Sequence, residues 1–162
     1  MNAAFIVLPE THRFRGVLID TGLLLLMAAG ELAPNRIPQL PRLHGFSFEH
    51  YRRLRDYIRH FRSRVTTPHI LAEVSNLTRQ WPEPVRSQAF GHFAASWSLL
   101  RERHTPARCA IGDFAFLSLG LTDAGILQIA SQRLLVLTID RDLTGALAQR
   151  RIGVVNWGDF GR

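Results

Sequence analysis

Two acidic residues follow apolar runs that are typical of buried strands. Asp20 comes directly after Val17-Leu18-Ile19, and Asp140 ends the stretch that begins at Leu134. A continuous apolar run is typical of a strand covered on both faces, as in a parallel sheet. Ligands of open α/β sheets bind outside the carboxyl ends of the strands, so we expect both carboxylates at that edge. Helix capping is the structural alternative for Asp20.

Two further acids lie on predicted helices. Glu73 stands at the margin of the apolar face of a helix that begins after Thr67-Pro68, a strong capping pair. Glutamate normally prefers full exposure, so this position is unusual. Asp123 follows Thr122 at the start of another helix, where a favourable contact with the helix dipole is the alternative explanation. Each acid has its own structural explanation, but the four together predict one acidic site.

The order of strands and helices predicts the fold class. Strands that alternate with helices pair in parallel, so we predict a three-layer α/β/α sandwich with a Rossmann-like sheet of four to five strands. We assign residues 1–162 to a single domain with a short lead-in at 1–14. The predicted strands cover 15–20, 65–67, 134–140 and 152–156. The predicted helices cover 21–29 (ending at Gly30), 47–62, 68–81, 83–103, 113–119, about 122–130 and 142–150, with a proline-rich loop at 31–46 and a connection at 104–112.

Composition narrows the classes of function. The formal net charge is +7, and all 20 basic residues are arginine, whose side chains suit bidentate contacts to phosphate or carboxylate. A single cysteine excludes an intramolecular disulfide framework and a cysteine-rich zinc site. The start lacks the pattern of a signal peptide, and the longest apolar stretch, 23–30, is too short to span a bilayer. We therefore expect a cytoplasmic protein without a membrane segment.

An arginine ridge runs along the predicted helix 47–62. Its members repeat at helical spacing and are Arg52, Arg55, Arg59 and Arg62. Within the segment 31–64, this ridge is the first candidate for contact with a phosphate backbone or an acidic partner. The structural alternative is a solvated face with ion pairs along the helix, such as Arg52–Asp56.

The chain resembles the PIN domain nucleases from about residue 15 to residue 157. The resemblance rests on four short motifs in the family's order, at sensible spacing. They are Leu18-Ile19-Asp20-Thr21, Glu73 within the segment 67–76, Asp123 within Leu121-Thr122-Asp123-Ala124-Gly125-Ile126-Leu127, and Thr138-Ile139-Asp140-Arg141-Asp142-Leu143.

The resemblance implies a role for each matching residue. Asp20, Glu73 and Asp123 match the family's three main acids, and Asp140 matches the fourth, with Asp142 as a second candidate for that place. Three other positions bear on the site: Thr138 matches a residue that helps to hold it, Asn76 could line it or lie on the surface, and Gly22 stands where the family usually has asparagine or serine.

The resemblance also implies a function. It predicts cleavage of RNA phosphodiester bonds with Mg²⁺ or Mn²⁺ held by Asp20, Asp123 and Asp140, and with Glu73 binding a second ion or orienting the attacking water. Within the family, the VapC-like toxins of toxin–antitoxin pairs are the nearest in kind, which implies an antitoxin partner and a homodimer. The alternative is a catalytically weak or inactive module that binds RNA or a protein partner, motivated by Gly22 and the arginine ridge.

Overall fold

Among the described residues, five parallel strands form one sheet in the order β3-β2-β1-β4-β5. The computed structural model describes residues 15–131 and 133–161, with the backbone alone at 160 and 161, so the predicted lead-in at 1–14 lies outside the described residues. The strands are β1 (Gly16–Ile19), β2 (Arg64–Thr66), β3 (Arg101–Glu102), β4 (Leu134–Thr138) and β5 (Val154–Asn156). The order turns at β1 and β4, as in a Rossmann-like sheet.

In the part of the chain that the structure describes, seven α-helices enclose the sheet in two layers. They are α1 (Thr21–Leu32), α2 (Phe48–Ile58), α3 (Pro68–Thr78), α4 (Val85–Ser96), α5 (Ala107–Ile111), α6 (Phe116–Ile129) and α7 (Arg141–Gln149). Helix α1 packs against α2, α3 and α4, while α6 packs against α5 and α7. Right-handed crossovers place these two groups on opposite faces of the sheet. The predicted three-layer α/β/α architecture is confirmed.

The central strands are buried because their sequences are apolar except for Thr138 at the end of β4. Every residue of β1 and β4 is buried, and the register pairs Val17 with Leu135 and Leu18 with Val136. A strand with helices on both faces gains free energy by burying every side chain, without the alternation of a half-exposed strand. β1 and β4, the strands that Asp20 and Asp140 follow, therefore lie in the middle of the core. None of the helices in the described ranges has the length and apolar character needed to cross a bilayer.

The predicted helix 83–103 is wrong in its second half. Helix α4 ends at Ser96, a short 3₁₀ turn follows at Trp97–Leu99, and Leu100 is extended with φ −84° and ψ 139°. The chain then enters β3, where Arg101 pairs with Val65 of β2. Pairing with the sheet edge overrides the local helical periodicity. Helix α5 also lies inside the segment that the sequence predicted as a connection.

Helix α1 runs past Gly30, which was predicted to end it. A Cβ atom at Gly30 would collide with the ring of Tyr51, so the missing side chain lets α2 pack closely against α1. The next residues continue the helix to Leu32, and a 3₁₀ helix at Pro34–Gln39 occupies part of the predicted loop 31–46. Helix α2 is shorter than predicted and ends at Ile58 instead of Arg62.

Helix α6 contains a kink that joins two segments predicted as separate helices. Gly120 has φ 81° and ψ −176°, a conformation that glycine adopts without steric cost. The helix resumes directly after this residue, so Asp123 lies in the first turn beyond the kink. Thr122 was predicted to cap this helix, but α6 begins earlier, after Ala115.

Candidate acidic site

Asp20 lies at the carboxyl end of β1 with only 7% of its surface exposed. Its Oδ1 accepts a hydrogen bond from the backbone N–H of Thr21 (2.6 Å), and its Oδ2 accepts one from the Thr138 hydroxyl (2.6 Å). Burial raises the pKa of the Asp20 carboxyl, and the charges of Glu73 and Asp140 raise it further, against the lowering effect of the two hydrogen bonds. Asp20 therefore caps α1, as the structural alternative proposed, and also faces other acids.

Thr138 connects the ends of the two central strands. Its buried hydroxyl donates to Asp20 and accepts from the backbone N–H of Asp140 at 3.0 Å. Asp140 itself is exposed, and its Oδ1 caps α7 by accepting from the N–H of Leu143 at 2.8 Å. Because β1 and β4 are neighbours, one threonine orients both strand-end acids.

Glu73 reaches the same region from α3. Its side chain is half-buried, and its Oε2 accepts a hydrogen bond from the Thr21 hydroxyl at 3.0 Å. Thr21 follows Asp20 directly and donates hydrogen bonds to two acids: its backbone N–H to Asp20 and its hydroxyl to Glu73. The sequence analysis did not assign Thr21 to the site, although a hydroxyl residue directly after a strand-end acid was the signal that could have identified it.

The Asp123 carboxyl, like that of Asp20, is shifted towards its neutral form. Burial, followed by the charges of Asp20, Asp140 and Glu73, raises the pKa of Asp123 to about 7. Among the residues that the structure describes, no basic side chain offsets these repulsions. The four predicted acids therefore lie within electrostatic reach of one another. We call Asp20, Glu73, Asp123 and Asp140 the acidic edge.

The two supporting residues Asp142 and Asn76 lie at the margin. Asp142 is exposed in the first turn of α7 and is not among the charges that act on Asp123. The geometry thus favours Asp140 over Asp142 as the fourth acid. Asn76 is exposed on α3, one turn after Glu73.

The arginine ridge is partly neutralised by acids of its own helix. Arg52 pairs with Glu49 (3.3 Å) instead of Asp56, and Asp56 pairs with Arg55 (3.2 Å) and Arg59 (3.6 Å). Arg62 is exposed and lies beyond the end of α2. The pairs correspond to the structural alternative, although the predicted Arg52–Asp56 pair is not formed.

The donor chemistry of the acidic edge fits a hard divalent cation. Carboxylate oxygens are the preferred ligands of Mg²⁺ and Mn²⁺, and a cation would relieve the repulsion that raises the pKa of Asp123. Within 15–131 and 133–161, no three His, Cys, Asp or Glu side chains are arranged to hold an ion jointly. Mg²⁺ commonly keeps several waters and takes only one or two carboxylates, so direct ligation by three is not required.

Gly22 has a packing explanation. A Cβ atom at this position would lie 2.9 Å from the Cδ1 atom of Ile139, the residue between Thr138 and Asp140. The space that a serine or asparagine side chain would occupy is therefore filled by an apolar side chain. Gly22 therefore allows the close contact with Ile139 beside the acidic edge.

Comparisons of the chain with family models, with curated proteins and with solved structures find no match. The resemblance to PIN domain nucleases therefore stays a prediction based on short motifs. The described residues themselves define an α/β protein with a five-stranded parallel sheet and an acidic edge where its strand order turns.

Proposed function

We propose that the protein is a divalent-metal-dependent endoribonuclease. The observation that supports this proposal most is the acidic edge, where burial and three neighbouring carboxylates act on Asp123 without a compensating cation. Purely structural acids are normally exposed or paired, because an unpaired buried charge is costly. A group of acids that repel one another at the ligand-binding edge of the sheet is better explained by a bound cation.

In this proposal Asp20, Asp123 and Asp140 would hold the metal, in part through its bound water molecules, and Glu73 would hold a second ion or orient the attacking water. The bound cation supplies Lewis-acid polarisation of a phosphate oxygen and lowers the pKa of water. No serine, cysteine or histidine nucleophile is needed for this reaction. RNA is the proposed substrate because the resemblance to the PIN domain nucleases implies it, and the formal net charge of +7 is favourable for attracting a polyanion.

Two threonines orient the acids of the proposed metal site through hydrogen bonds. Thr138 fixes the Asp20 carboxylate and the backbone of Asp140, so the two strand-end acids keep one relative orientation. Thr21 fixes Glu73 through its hydroxyl. Side chains that are already ordered lose little conformational entropy when a ligand binds, which favours a precise site.

The test is cleavage of RNA by the purified protein with Mn²⁺ or Mg²⁺. Asp20→Asn and Asp123→Asn are expected to lower the rate on the order of 100-fold or more, because each removes a charged ligand. Asp56→Asn on the exposed face of α2 is the matched control, since it makes the same chemical change away from the acidic edge. Equal cleavage by wild type and by the Asp20 and Asp123 variants would identify a contaminating nuclease and refute the assignment.

A second candidate is an RNA-binding module without catalysis. Two observations favour it: Gly22 lacks the polar side chain of the PIN pattern, and no three acids are arranged for joint ligation within the described ranges. This candidate predicts RNA binding that weakens with salt and is unchanged by EDTA. Binding that required Mg²⁺ would count against it.

Within the nuclease proposal, we assign the chain to the toxins of toxin–antitoxin pairs, acting in the cytoplasm as a homodimer that an antitoxin protein inhibits. The resemblance stated above supports this assignment. Induced expression in a bacterial host is expected to arrest growth, whereas Asp123→Asn at the same protein level does not. Growth that is unaffected by the wild-type protein would remove the toxin assignment but leave the nuclease test intact.

A further inference from the structure

A small cavity lies at the amino-terminal side of the sheet, away from the acidic edge. Its volume is about 240 Å³, which is room for about eight water molecules at about 30 Å³ each. That space matches one or two phosphate groups. Four arginines line it and give it its name, the arginine cavity: Arg15, Arg101, Arg103 and Arg133.

The backbone around the arginine cavity is held by the sheet. The N–H of Arg15 donates to the carbonyl of Arg133 at 2.8 Å, and the N–H of Arg103 donates to Thr66 at 2.9 Å. Arg15 precedes β1, Arg133 precedes β4, and Arg101 begins β3. Arginines that are distant in the sequence are thus brought to one place by strand pairing.

The floor of the cavity is kept open by a glycine. Gly16 pairs with Leu134 in the register, and the alternation along β1 puts it on the same face as Leu18, the partner of Val65. A Cβ atom at Gly16 would lie 3.2 Å from the Ser63 carbonyl oxygen and 3.3 Å from Val65 Cγ2. A side chain here would therefore crowd the cavity floor.

Among the described residues, no acidic side chain compensates the charge of the cavity. No carboxylate of the described residues lines it, and none of its four arginines forms an ion pair there. Some arginines elsewhere do pair with an acid nearby, as Arg86 does with Glu83 at 2.7 Å. Guanidinium groups that share a small space repel one another unless an anion lies between them. Two serines, Ser63 and Ser131, add hydroxyl groups at the wall.

We infer that the arginine cavity binds phosphate, in the form of one phosphate or a diphosphate group. The planar guanidinium fork matches phosphate oxygens, and the serine hydroxyls are further donors. The shared chemistry has two sources: a free phosphorylated small molecule, such as pyrophosphate or a nucleotide, or the terminal phosphate of an RNA strand. This inference does not depend on the nuclease proposal, because the cavity contains no carboxylate and needs no divalent metal.

The experiment is calorimetric titration in EDTA with three probes: pyrophosphate, a 5′-phosphorylated oligoribonucleotide and the same oligonucleotide with a 5′-hydroxyl end. Wild type is expected to bind pyrophosphate saturably. The double variant Arg101→Gln/Arg133→Gln is expected to bind it roughly tenfold or more weakly, since each arginine contributes a charge-assisted hydrogen bond. A preference for the 5′-phosphorylated strand over the hydroxyl strand assigns the site to RNA ends, and equal binding of the two strands assigns it to small molecules.

Matched variants distinguish specific binding in the arginine cavity from nonspecific attraction by the positive charge of the protein. Arg52→Gln/Arg59→Gln removes the same charge from the arginine ridge and is expected to change pyrophosphate affinity by less than about twofold. Arg101→Lys/Arg133→Lys keeps the charge but loses the fork, so its affinity is expected between those of wild type and the glutamine pair. Equal weakening by both glutamine pairs, or no saturable binding by wild type, overturns the inference.

A last control makes the two proposals independent. Asp123→Asn is expected to bind pyrophosphate in EDTA like wild type. If RNA cleavage is absent but the arginine variants lose pyrophosphate binding, the nuclease proposal fails and the phosphate site stands. Thermal unfolding of each arginine variant checks that the fold is retained, which is expected because these side chains are exposed.

Discussion

The acidic edge and the surroundings of Asp113, which we call the Asp113 corner, shift the pKa of an aspartate in opposite directions. At the corner, Arg150 donates two hydrogen bonds to Asp113 (2.7 and 2.9 Å), and Gln128 and the N–H of Ala115 add two more. These contacts, led by the one with Arg150, lower the pKa of Asp113 to about 2. At the acidic edge, burial and like charges raise the pKa of Asp123 to about 7.

The contrast separates an acid whose charge is stabilised by its neighbours from acids that repel one another. The Asp113 corner joins the start of α6 to the end of α7, with every contact favouring the charged carboxylate. The charge of such an acid is stabilised by the protein itself and needs no bound ligand. At the acidic edge, burial and neighbouring carboxylates destabilise the charged form of Asp123. No arginine among the described residues offsets this effect, although the chain has 20 arginines. That imbalance is typical of a site that binds something positive.

The largest expected effect is on stability when each acid is neutralised in turn. Asp113→Asn is expected to lower the free energy of unfolding by about 1–2 kcal/mol, because Arg150 loses a bidentate partner. Asp123→Asn is expected to raise it by about 1 kcal/mol at pH 8 without metal, because it removes repulsion. Urea unfolding of both variants measures the difference. A loss of stability in both variants would show that the acidic edge is as structural as the corner.

The second effect is on the pH dependence of stability. The unfolded Asp123 carboxyl has a pKa of 3.8 and the folded one about 7, so the folded state binds more protons in this range. Stability is therefore expected to fall as the pH rises from about 4 to about 7. Asp113 acts in the opposite sense: its contribution is present above pH 3.8 and is lost as the pH falls through about 2.

Unfolding curves across this pH range, for wild type and Asp123→Asn, isolate the first of these slopes. The variant is expected to lose the part of the decline between about pH 4 and 7 that Asp123 causes, and to keep the part that comes from Asp20, whose pKa is also raised. Added Mg²⁺ is expected to remove the decline in wild type, since a bound cation lowers the pKa of Asp123. A decline that persists unchanged in the variant would mean that another group causes it.

The smallest effect tests the packing beside the acidic edge. Gly22→Ser is expected to cost about 0.5–1 kcal/mol, because the new Cβ meets the mobile end of the Ile139 side chain. Adding Ile139→Val deletes the Cδ1 atom in question and is expected to restore most of this loss. Gly145→Ser is the control, since nothing lies within 4 Å of a Cβ there. Equal costs at Gly22 and Gly145 would contradict the packing explanation.

Much of the fold was predictable because its signals are local. Apolar runs located β1 and β4, and the pair Thr67-Pro68 located the start of α3, where Thr67 Oγ1 accepts from Ile70 N–H at 3.1 Å. β3 was missed because only two residues form it, and its stability comes from pairing with β2. Gly30 was misjudged because its role depends on Tyr51, which belongs to another helix.

The residues of the acidic edge were also predictable, because strand-end and helix-start acids are visible in the sequence. Their shared environment was not visible, and neither was the hydrogen bond from Thr21 to Glu73. No local pattern indicates that Asp113 has a basic partner and Asp123 has none among the described residues. Both are aspartates near the start of a helical segment, and only the packing of α7 brings Arg150 to one of them.

The sequence by itself determined which segments are apolar enough to be central strands and which acids follow them. The tertiary structure alone decided which charges meet: three acids around Asp123, an arginine beside Asp113, and four arginines around one cavity. The physical reason is the separation along the chain of the residues that interact. Strand and helix formation depends on neighbours in the chain, whereas the free energy of a charge depends on burial and on groups that are distant in the sequence.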